Sequence, residues 1–305
     1  MRRDRPLERG YQQAAVRRFI CLRLPEKQYA CVLIKDKTRK SVYQNLFYTV
    51  ENGICSVTLN RPQVYNALSP GLIRDITDAV TTAGADETVR VIVLTGTGHK
   101  AFCSGADLKE AFTNAQSSGG LDLGTSLRNG YNPMILAMRN LPKPIIGRIN
   151  GVAAGAGCSL ALACDVLVCS DEAYFSQIFV NIGLMPDAGA TFFLPRLVGS
   201  LTAFDLCSTG RRVYGPEAAA IGLVNRSVPA AELDETVANL AVQYAAAPTL
   251  AIGTMKKVLN QSLYSDLPTM LEQEADNQGA LSGTADVAEG IGAFLLKKSA
   301  KFQGL

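Results

Sequence analysis

Short apolar runs, separated by turn residues, recur along the chain from residue 45 to residue 200. The β-rich runs at 46–50 and 54–59 flank Glu51-Asn52-Gly53, which is typical of a hairpin turn. Three further runs are nearly continuous in apolar residues, as in strands that are buried on both faces, and they lie at 89–95, 144–149 and 165–169. The pattern therefore predicts at least five strands.

Stretches with helical spacing separate these runs. An amphipathic stretch at 72–83 follows Ser69, a favourable helix cap, and Pro70, which suits the first helical position. A mixed helical stretch follows around 124–140. Because strands alternate with helices, we predict an α/β fold whose strands are mostly joined by crossovers.

The pattern changes after residue 197, where no convincing strand is visible. Five segments have helical periodicity, at 201–208, 215–222, 230–246, 248–264 and 266–281. We therefore divide the chain into an N-terminal extension (1–44), a core (45–200) and a helical C-terminal subdomain (201–305). The subdomain is expected to cover the core or to mediate assembly.

The composition is that of a globular protein, with 48% hydrophobic and 19% charged residues among 305. No apolar run approaches the ~20 residues of a transmembrane helix. Eight cysteines include no Cys-x-x-Cys pair, and most lie inside apolar runs. These features favour a reducing compartment and a cytoplasmic location, or an organellar matrix if the N-terminus is a targeting segment.

Positive charge is concentrated at the N-terminus. Residues 1–40 hold 12 Lys/Arg and 4 Asp/Glu, a net charge of +8, whereas the other 265 residues carry −5. A transit peptide is poor in acids and rich in serine, which this segment is not. The arm also lacks interleaved aromatics and the core is acidic, so we expect no nucleic-acid partner and no membrane partner. We assign the arm no function.

The chain has one histidine, His99, in the turn-like sequence Thr95-Gly96-Thr97-Gly98-His99-Lys100. A single histidine excludes a two-histidine zinc site, and we expect no metal site. His99 is also the only base available to a Ser-His-Asp triad, but a surface turn is the simpler interpretation. Acid–base chemistry is therefore expected from carboxylates, backbone dipoles or tyrosines.

Two loops of small residues follow predicted strands, at 101–108 (Ala-Phe-Cys-Ser-Gly-Ala-Asp-Leu) and 150–158 (Asn-Gly-Val-Ala-Ala-Gly-Ala-Gly-Cys). Glycine and alanine leave the main chain uncovered, so a ligand can approach backbone N–H groups. The second loop runs into a predicted helix at 156–164, whose first N–H groups have no intrahelical partner. Two such N–H groups that meet on one oxygen form an oxyanion hole, which suits a carbonyl such as an acyl thioester.

Other interpretations of these loops are weaker. Gly-Ala runs also occur where a helix packs closely on a sheet. A dinucleotide site needs G-x-G-x-x-G, which residues 155–160 do not match, and no G-K-[ST] follows a glycine loop to form a P-loop.

Several motifs together resemble the enoyl-CoA hydratase/isomerase (crotonase) superfamily over roughly residues 45–304. In chain order they are Leu59-Asn-Arg-Pro62 with Asn66-Ala-Leu68, the two loops, Gly183-Leu-Met-Pro-Asp-Ala-Gly189, and Glu289-Gly-Ile-Gly-Ala-Phe-Leu-Leu-Lys-Lys298. The resemblance implies a crotonase-like spiral of ββα units with C-terminal helices that form homotrimers, commonly paired into hexamers. It also implies a CoA thioester as substrate and no separate cofactor.

The resemblance carries particular roles onto particular residues. The oxyanion donors fall on the N–H groups of Ala106 and Ala156. The substrate pocket is expected to include Ser159, Phe179, Tyr131 and Gly155. Positions that contact CoA fall at Asn66, Ala67, Leu68, Cys103 and Leu108, and at Lys297, which could belong to a neighbouring subunit.

Hydratases of this superfamily use two glutamates to hold and deprotonate a water molecule. The corresponding positions here are Ser159 and Phe179, neither of which can act as a carboxylate base. Asp187 remains, in the Met185-Pro-Asp-Ala-Gly189 turn, where some isomerase branches carry a catalytic aspartate. Its alternative role is to cap a helix that begins near Ala188. Apolar neighbours would raise the pKa of Asp187 towards that of a useful base, although a helix terminus would lower it.

The chain most resembles the PaaG-type isomerase of phenylacetate degradation, with other acyl-CoA isomerases close behind. This resemblance rests on Gly151-Val-Ala-Ala-Gly-Ala-Gly157, with Tyr131-Asn-Pro133 before it and Leu194-Pro-Arg-Leu-Val-Gly199 after it. The resulting hypothesis is an isomerase in which Asp187 moves a proton between two carbons of a CoA thioester, or isomerises a ring epoxide. Two alternatives stay open at this point. One is a hydratase that uses Glu110 or Asp107, and the other is a non-catalytic acyl-CoA-binding protein.

Overall fold

The computed structural model describes residues 17–23, 29–35, 43–118, 120 and 122–304. The chain divides into two compact units, Met1–Lys40 and Ser41–Leu305. In the first unit, strands β1 (Arg17–Arg23) and β2 (Tyr29–Lys35) pair antiparallel. The sequence prediction did not include this hairpin, and the rest of the basic arm lies outside the described residues.

The second unit begins with the predicted hairpin, β3 (Leu46–Glu51) and β4 (Ile54–Leu59). Helix α1 (Pro70–Ala85) starts as predicted, because the Ser69 hydroxyl accepts a hydrogen bond from the Leu72 N–H at 3.1 Å. The next elements are β5 (Val91–Gly96), β6 (Ala101–Cys103), α2 (Leu108–Ser118), α3 (Leu123–Ser126), a π-helical turn (Leu127–Tyr131) and α4 (Asn132–Asn140).

Strand and helix continue to alternate up to residue 198. The elements are β7 (Ile145–Ile149), β8 (Val152–Ala154), α5 (Ala156–Leu162), β9 (Val166–Ser170), β10 (Tyr174–Ser176), a 3-10 helix (Ile178–Ile182) and α6 (Ala190–Val198). The five strands that the apolar runs predicted, β3, β4, β5, β7 and β9, are all confirmed.

The strands of the second unit, with β11 (Val213–Tyr214) and β12 (Arg226–Val228) from the last third of the chain, form two sheets. Their orders are β12-β9-β7-β5-β4-β3 and β11-β10-β8-β6. Successive strand pairs contribute one strand to each sheet: β5 and β6, β7 and β8, and β9 and β10 are divided in this way. A helix follows each pair, so the chain advances as a spiral of ββα units. The predicted crotonase-like α/β fold is confirmed.

Helices dominate the last third of the chain, as predicted. They are α7 (Ser200–Thr209), α8 (Gly215–Ala220), α9 (Leu233–Ala245), α10 (Thr249–Ser262), α11 (Leu267–Ser282) and α12 (Ala285–Leu295). The expectation of no strand here was wrong, because the short strands β11 (Val213–Tyr214) and β12 (Arg226–Val228) each add to a sheet edge. Two or three residues are too few to show an alternating pattern.

The main core lies between the sheets and the helices α1, α4 and α5, where Leu72, Met134 and Leu160 are fully buried. A smaller cluster packs Val237 and Ala241 of α9 on the other face of β5 and β7. Within the described residues, no helix is long and apolar enough to cross a bilayer.

Candidate active site

The two small-residue loops meet at one edge of the smaller sheet. Strands β6 and β8 are parallel neighbours, so the chain leaves both in the same direction, into Gly105-Ala106 and Gly155-Ala156 respectively. The loops are in contact, because a side-chain carbon on Gly105 would stand 3.5 Å from the amide nitrogen of Ala156. The sequence prediction that these loops converge fits this geometry.

The N–H groups of Ala106 and Ala156 are both left without an acceptor. The Leu68 N–H donates to the Gly105 carbonyl at 2.7 Å, and the Leu68 carbonyl accepts from the Asp107 N–H at 3.0 Å. These bonds involve the residues on either side of Ala106 and leave the Ala106 N–H unbonded. Ala156 is the first residue of α5, where no intrahelical acceptor exists. Neither N–H donates to any atom of the described residues. Ala156 is buried, and buried backbone donors are rarely unpaired, whereas Ala106 is exposed and its N–H is open to a ligand. The pair is therefore suited to bind an oxygen atom from outside the chain.

Two glycines make this approach possible. Gly155 has φ +52° and ψ −131°, a conformation that side chains oppose, and it turns the chain from β8 into α5. Gly157 lies so close to β6 that a side-chain carbon there would stand 2.2 Å from the Cys103 carbonyl oxygen. The start of α5 can therefore sit directly on the end of β6.

Ser159 and Phe179, which the resemblance aligns with the two hydratase glutamates, are both buried. Ser159 is fully buried one turn into α5, and its hydroxyl donates a long hydrogen bond of 3.4 Å to the Gly155 carbonyl. Phe179 is buried, and its ring edge would lie 4.0 Å from a side-chain carbon on Gly155. An aromatic ring therefore lies beside the N–H group of Ala156.

Asp187 does not cap a helix, so that alternative is wrong. Ala188 has φ +50°, and α6 begins only at Ala190 with Gly189 as its cap residue. Only the main-chain carbonyl of Asp187 takes part, by accepting from the Ala190 N–H at 3.1 Å. Because Ala188 and Gly189 are both left-handed, α6 begins only at Ala190, and the Asp187 carboxylate makes no capping hydrogen bond to it.

The carboxylate of Asp187 is partly buried, and its Oδ1 atom has no hydrogen-bond partner among the described residues. Burial raises the pKa of Asp187 from its ordinary value of 3.8 to about 6, because no donor compensates the lost hydration. An unpaired carboxylate with a pKa near neutrality is suited to accept and return a proton.

Tyr131 lies on the same side of the core as Asp187. Burial raises the pKa of Tyr131, and the negative charge of Asp187 raises it further. One turn later, Ile135 approaches the Asp187 turn, since a side-chain carbon on Gly189 would stand 3.5 Å from its Cγ2 atom. Of the predicted pocket residues, Phe179 therefore lies next to Gly155, and Tyr131 lies near enough to Asp187 to interact with its charge.

Asp107 and Glu110, the alternative carboxylate bases, are both paired with Arg61. The guanidinium lies 2.9 Å from Asp107 and 3.5 Å from Glu110. Asp107 also accepts from the Glu110 N–H at 3.1 Å, which caps the first turn of α2. These contacts give both carboxylates a structural role. Sequence reasoning missed Arg61 as their partner, although it lies in the quoted Leu59–Pro62 motif.

The predicted CoA-contacting positions fall into two groups. Asn66, Ala67 and Leu68 form the segment that brackets the first oxyanion donor, and all three are buried. The side chain of Asn66 is fully engaged with the backbone, accepting from the Arg61 N–H and donating to the Thr97 and Ala101 carbonyls. The main-chain N–H groups of the segment are engaged too, because they donate to the carbonyls of Arg61, Val64 and Gly105, so the segment holds the loop rather than offering donors to a ligand.

The remaining positions differ in exposure. Cys103 is fully buried, and burial raises the pKa of its thiol to about 12, so it is inert packing beneath the loop. Leu108 is 42% exposed at the start of α2, next to the first donor, and is free to contact a ligand. Lys297 is exposed after α12, where its N–H caps the helix through the Phe294 carbonyl. His99 lies in an exposed turn, as predicted.

Comparisons with known proteins identify the family of the chain. The family model for enoyl-CoA hydratase/isomerase matches residues 49–304. The chain belongs to the enoyl-CoA hydratase/isomerase family. Within that family, a Rhodobacter capsulatus protein named probable enoyl-CoA hydratase is 39% identical over 262 residues, covering 86% of this chain and 99% of the relative.

A second relative in the family is named as an isomerase rather than a hydratase. The 1,2-epoxyphenylacetyl-CoA isomerase of Escherichia coli is 36% identical over 256 residues, covering 84% of this chain and 97% of the relative. Among solved structures, an enoyl-CoA hydratase from Bacillus anthracis superposes with a TM-score of 0.78 at 32% identity, covering 86% of this chain and all of that one. The family thus includes hydratases and isomerases of similar likeness to this chain.

Proposed function

We propose that this member of the enoyl-CoA hydratase/isomerase family is an acyl-CoA isomerase whose single acid–base residue is Asp187. One observation carries the proposal: Asp187 has an unpaired, buried carboxylate oxygen, while Ser159 and Phe179 occupy the positions expected of the two hydratase glutamates. A hydratase needs carboxylates to hold and deprotonate water. One base and an apolar wall are instead suited to moving a proton within the substrate.

The mechanism follows from charge. The thioester oxygen accepts hydrogen bonds from the N–H groups of Ala106 and Ala156, which stabilise negative charge as it develops there. In a 3-enoyl thioester, Asp187 takes a proton from C2, and the C–H electron pair moves into the carbonyl to give a dienolate. Asp187 then returns the same proton to C4 while the C2–C3 double bond forms and the carbonyl is restored. No cofactor enters this scheme.

The same groups would serve a ring epoxide attached to the thioester. The resemblance of the motifs at 131–133, 151–157 and 194–199 to the PaaG-type isomerase supports this variant, and with it a role in phenylacetate degradation. The 36% identity to a 1,2-epoxyphenylacetyl-CoA isomerase supports it as well. Hydration stays the competing activity, since a relative named as a hydratase is 39% identical. The two reactions differ in whether water is consumed.

An absorbance assay distinguishes these functions. The purified protein is incubated separately with crotonyl-CoA and with a 3-enoyl-CoA, and the absorbance of the conjugated enoyl thioester is followed. We expect a gain of absorbance with the 3-enoyl substrate and little loss with crotonyl-CoA. Rapid loss with crotonyl-CoA would make the protein a hydratase. No change in either, together with tight CoA-ester binding, would favour a binding protein or a ring-epoxide substrate, which 1,2-epoxyphenylacetyl-CoA would then test.

We further propose that the chain forms trimers or hexamers through its C-terminal helices. Large apolar side chains stand exposed there, among them Leu201, Phe204, Tyr264, Leu267, Phe294 and Leu295. Exposed apolar patches of this kind usually mark interfaces. The proposed location is the cytoplasm, which the free thiols of the cysteines with described side chains support.

A further inference from the structure

The pairing of β6 with β8 contains an irregularity directly below the two oxyanion donors. Ala101 is opposite Val152, but Cys103 is opposite Ala153, so β6 has one residue more than β8 over the same length. A bulge of this kind interrupts the ladder of hydrogen bonds that would otherwise fix the register of two strands. The positions of Ala106 and Ala156 relative to each other along the strand direction therefore need another constraint.

Asn66 supplies one such constraint on the β6 side. Its side chain is inaccessible to solvent and donates to the Ala101 carbonyl at 3.0 Å, while its Oδ1 accepts from the Arg61 N–H at 3.0 Å. Its backbone is left-handed, with φ +56°, which asparagine tolerates better than most residues. Two residues later, Leu68 brackets Ala106. The segment thus links the start of β6 to the loop at its end.

Asn150 supplies the matching constraint on the β8 side. It lies just before β8, is 7% exposed, and its amide donates to the carbonyls of Gly96 (3.0 Å) and Gly98 (2.6 Å). The same amide reaches the Ala101 carbonyl at 3.4 Å. Both asparagines therefore converge on one acceptor, the carbonyl of Ala101 at the start of β6, Asn66 from the segment before α1 and Asn150 from the residues before β8.

We propose that Asn66 and Asn150 are positioning residues that set the spacing of the oxyanion donors by tying the 66–68 segment and the second loop to the Ala101 carbonyl. The inference rests on the proposed function, because it assumes that Ala106 and Ala156 bind the thioester oxygen. Through these ties, the bulged strand pair keeps a fixed register without a continuous ladder. Loss of a tie would separate the donors while leaving the pocket walls and Asp187 in place.

The test uses cinnamoyl-CoA as a probe in the full-length protein. Its absorption moves to longer wavelength when the carbonyl oxygen accepts strong hydrogen bonds, and its C4 carries no proton to transfer. We expect a red shift on binding to the wild-type protein. Asn66→Asp keeps the size and the left-handed backbone but loses the donor, and Asn150→Asp does the same for β8. In each variant the red shift should fall by at least about half. The kcat should fall by about 10- to 100-fold, as is typical when reacting groups are slightly misplaced, and KM should change much less.

Controls separate positioning from general stability. Asn260→Asp removes a comparable donor, because Asn260 donates to the Arg139 carbonyl at 3.0 Å on α4, and it should leave the red shift unchanged. If the buried charge of Asn66→Asp prevents folding, Asn66→Gly accommodates the positive φ and removes the side chain. If the folded variants bind the probe with the full wild-type shift, the positioning role of Asn66 and Asn150 is refuted, whereas the proposed function is not. A wild-type protein that binds the probe without any shift would overturn the oxyanion hole, and the inference with it.

Discussion

Gly105 and Ala156 lie against each other across the two loops, with the Gly105 side-chain position 3.5 Å from the Ala156 amide nitrogen. This contact joins the end of β6 to the start of α5 and leaves the Ala156 N–H directed away from any acceptor in the described residues. A helix N-terminus favours negative charge, so under the proposed function an oxyanion bound here would be stabilised by the helix as well as by the hydrogen bonds. Catalysis should depend on this donor in particular.

Ala156→Pro removes the donor at little cost to the fold. Proline is favoured at the first position of a helix, and the Ala156 N–H supports no bond within the described protein. We expect kcat for the 3-enoyl thioester to fall by about 10²- to 10³-fold. Steady-state kinetics measure the loss, and Ala285→Pro at the exposed first position of α12 is the control. Equal activity in both variants would contradict a role for this N–H.

Asp187→Asn should remove the base while keeping the shape of the side chain. General acid–base groups contribute about 10²- to 10⁴-fold, and the rate of double-bond migration should fall by that range. Binding of a CoA thioester, measured by calorimetry, should change little because Asp187 is not a binding group. Asp205→Asn, at an exposed carboxylate paired with Arg211, is the control and should be fully active. A fully active Asp187→Asn variant would refute the proposed mechanism.

The pH profile should show the titration of Asp187. Burial raises its pKa to about 6, and only the ionised form can accept a proton. We therefore expect kcat/KM to rise as pH increases through about 6 and to be constant above about pH 7. Initial rates between pH 4.5 and 8.5 test this. A flat profile down to about pH 4.5 would indicate an ordinary carboxylate pKa and a different environment for the base.

The same pKa shift has a consequence for stability. Because the pKa of Asp187 is higher in the folded state than the unfolded value of 3.8, folding becomes less favourable as pH rises through about 6. Asp187→Asn removes this cost, which is about 1–2 kcal/mol once solvent screening is allowed for. The variant should therefore melt a few degrees above the wild type at pH 8, with a smaller difference at pH 5. A larger difference in melting temperature at pH 5 than at pH 8 would contradict a raised pKa for the buried Asp187 carboxylate.

Gly157→Ala tests the close packing of α5 on β6. The added carbon would stand 2.2 Å from the Cys103 carbonyl oxygen, so the backbone must move. We expect the free energy of unfolding to fall by about 1–3 kcal/mol, and activity to fall as well because the donors separate. Gly279→Ala, on α11 with no atom within 4 Å, should instead be neutral or stabilising. Urea unfolding of both variants gives the comparison.

The sequence predicts the longer elements well, for a physical reason. Strands of five or six residues, such as β5 and β7, leave an apolar run that is readable along the chain. Strands β6, β8 and β10 have three residues each, too few for a pattern, although they carry the loops of the site. The loops themselves were identified from their small residues, because only glycine and alanine leave backbone N–H groups accessible.

Other parts of the site depend on contacts that leave no local pattern. The Pro-Asp turn at 186–187 is compatible from sequence with a helix cap or a free base, and the positive φ of Ala188 excludes the helix cap. Asn66 and Ala101 are 35 residues apart, and Asn150 and Gly96 are 54 apart, so their hydrogen bonds are invisible in spacing. The partners of Arg61 are hidden for the same reason.

The last prediction concerns assembly. Phe294 and Leu201 are 83% and 88% exposed, which is unfavourable for side chains of this size unless another chain covers them. If the C-terminal helices form the interface, Phe294→Asp should shift the native mass from three or six times 32.5 kDa towards that of one chain. Light scattering after gel filtration measures the mass, and Thr81→Asp, at an exposed polar position on α1, should leave it unchanged. A wild-type protein that elutes as a single chain would exclude the proposed trimer or hexamer.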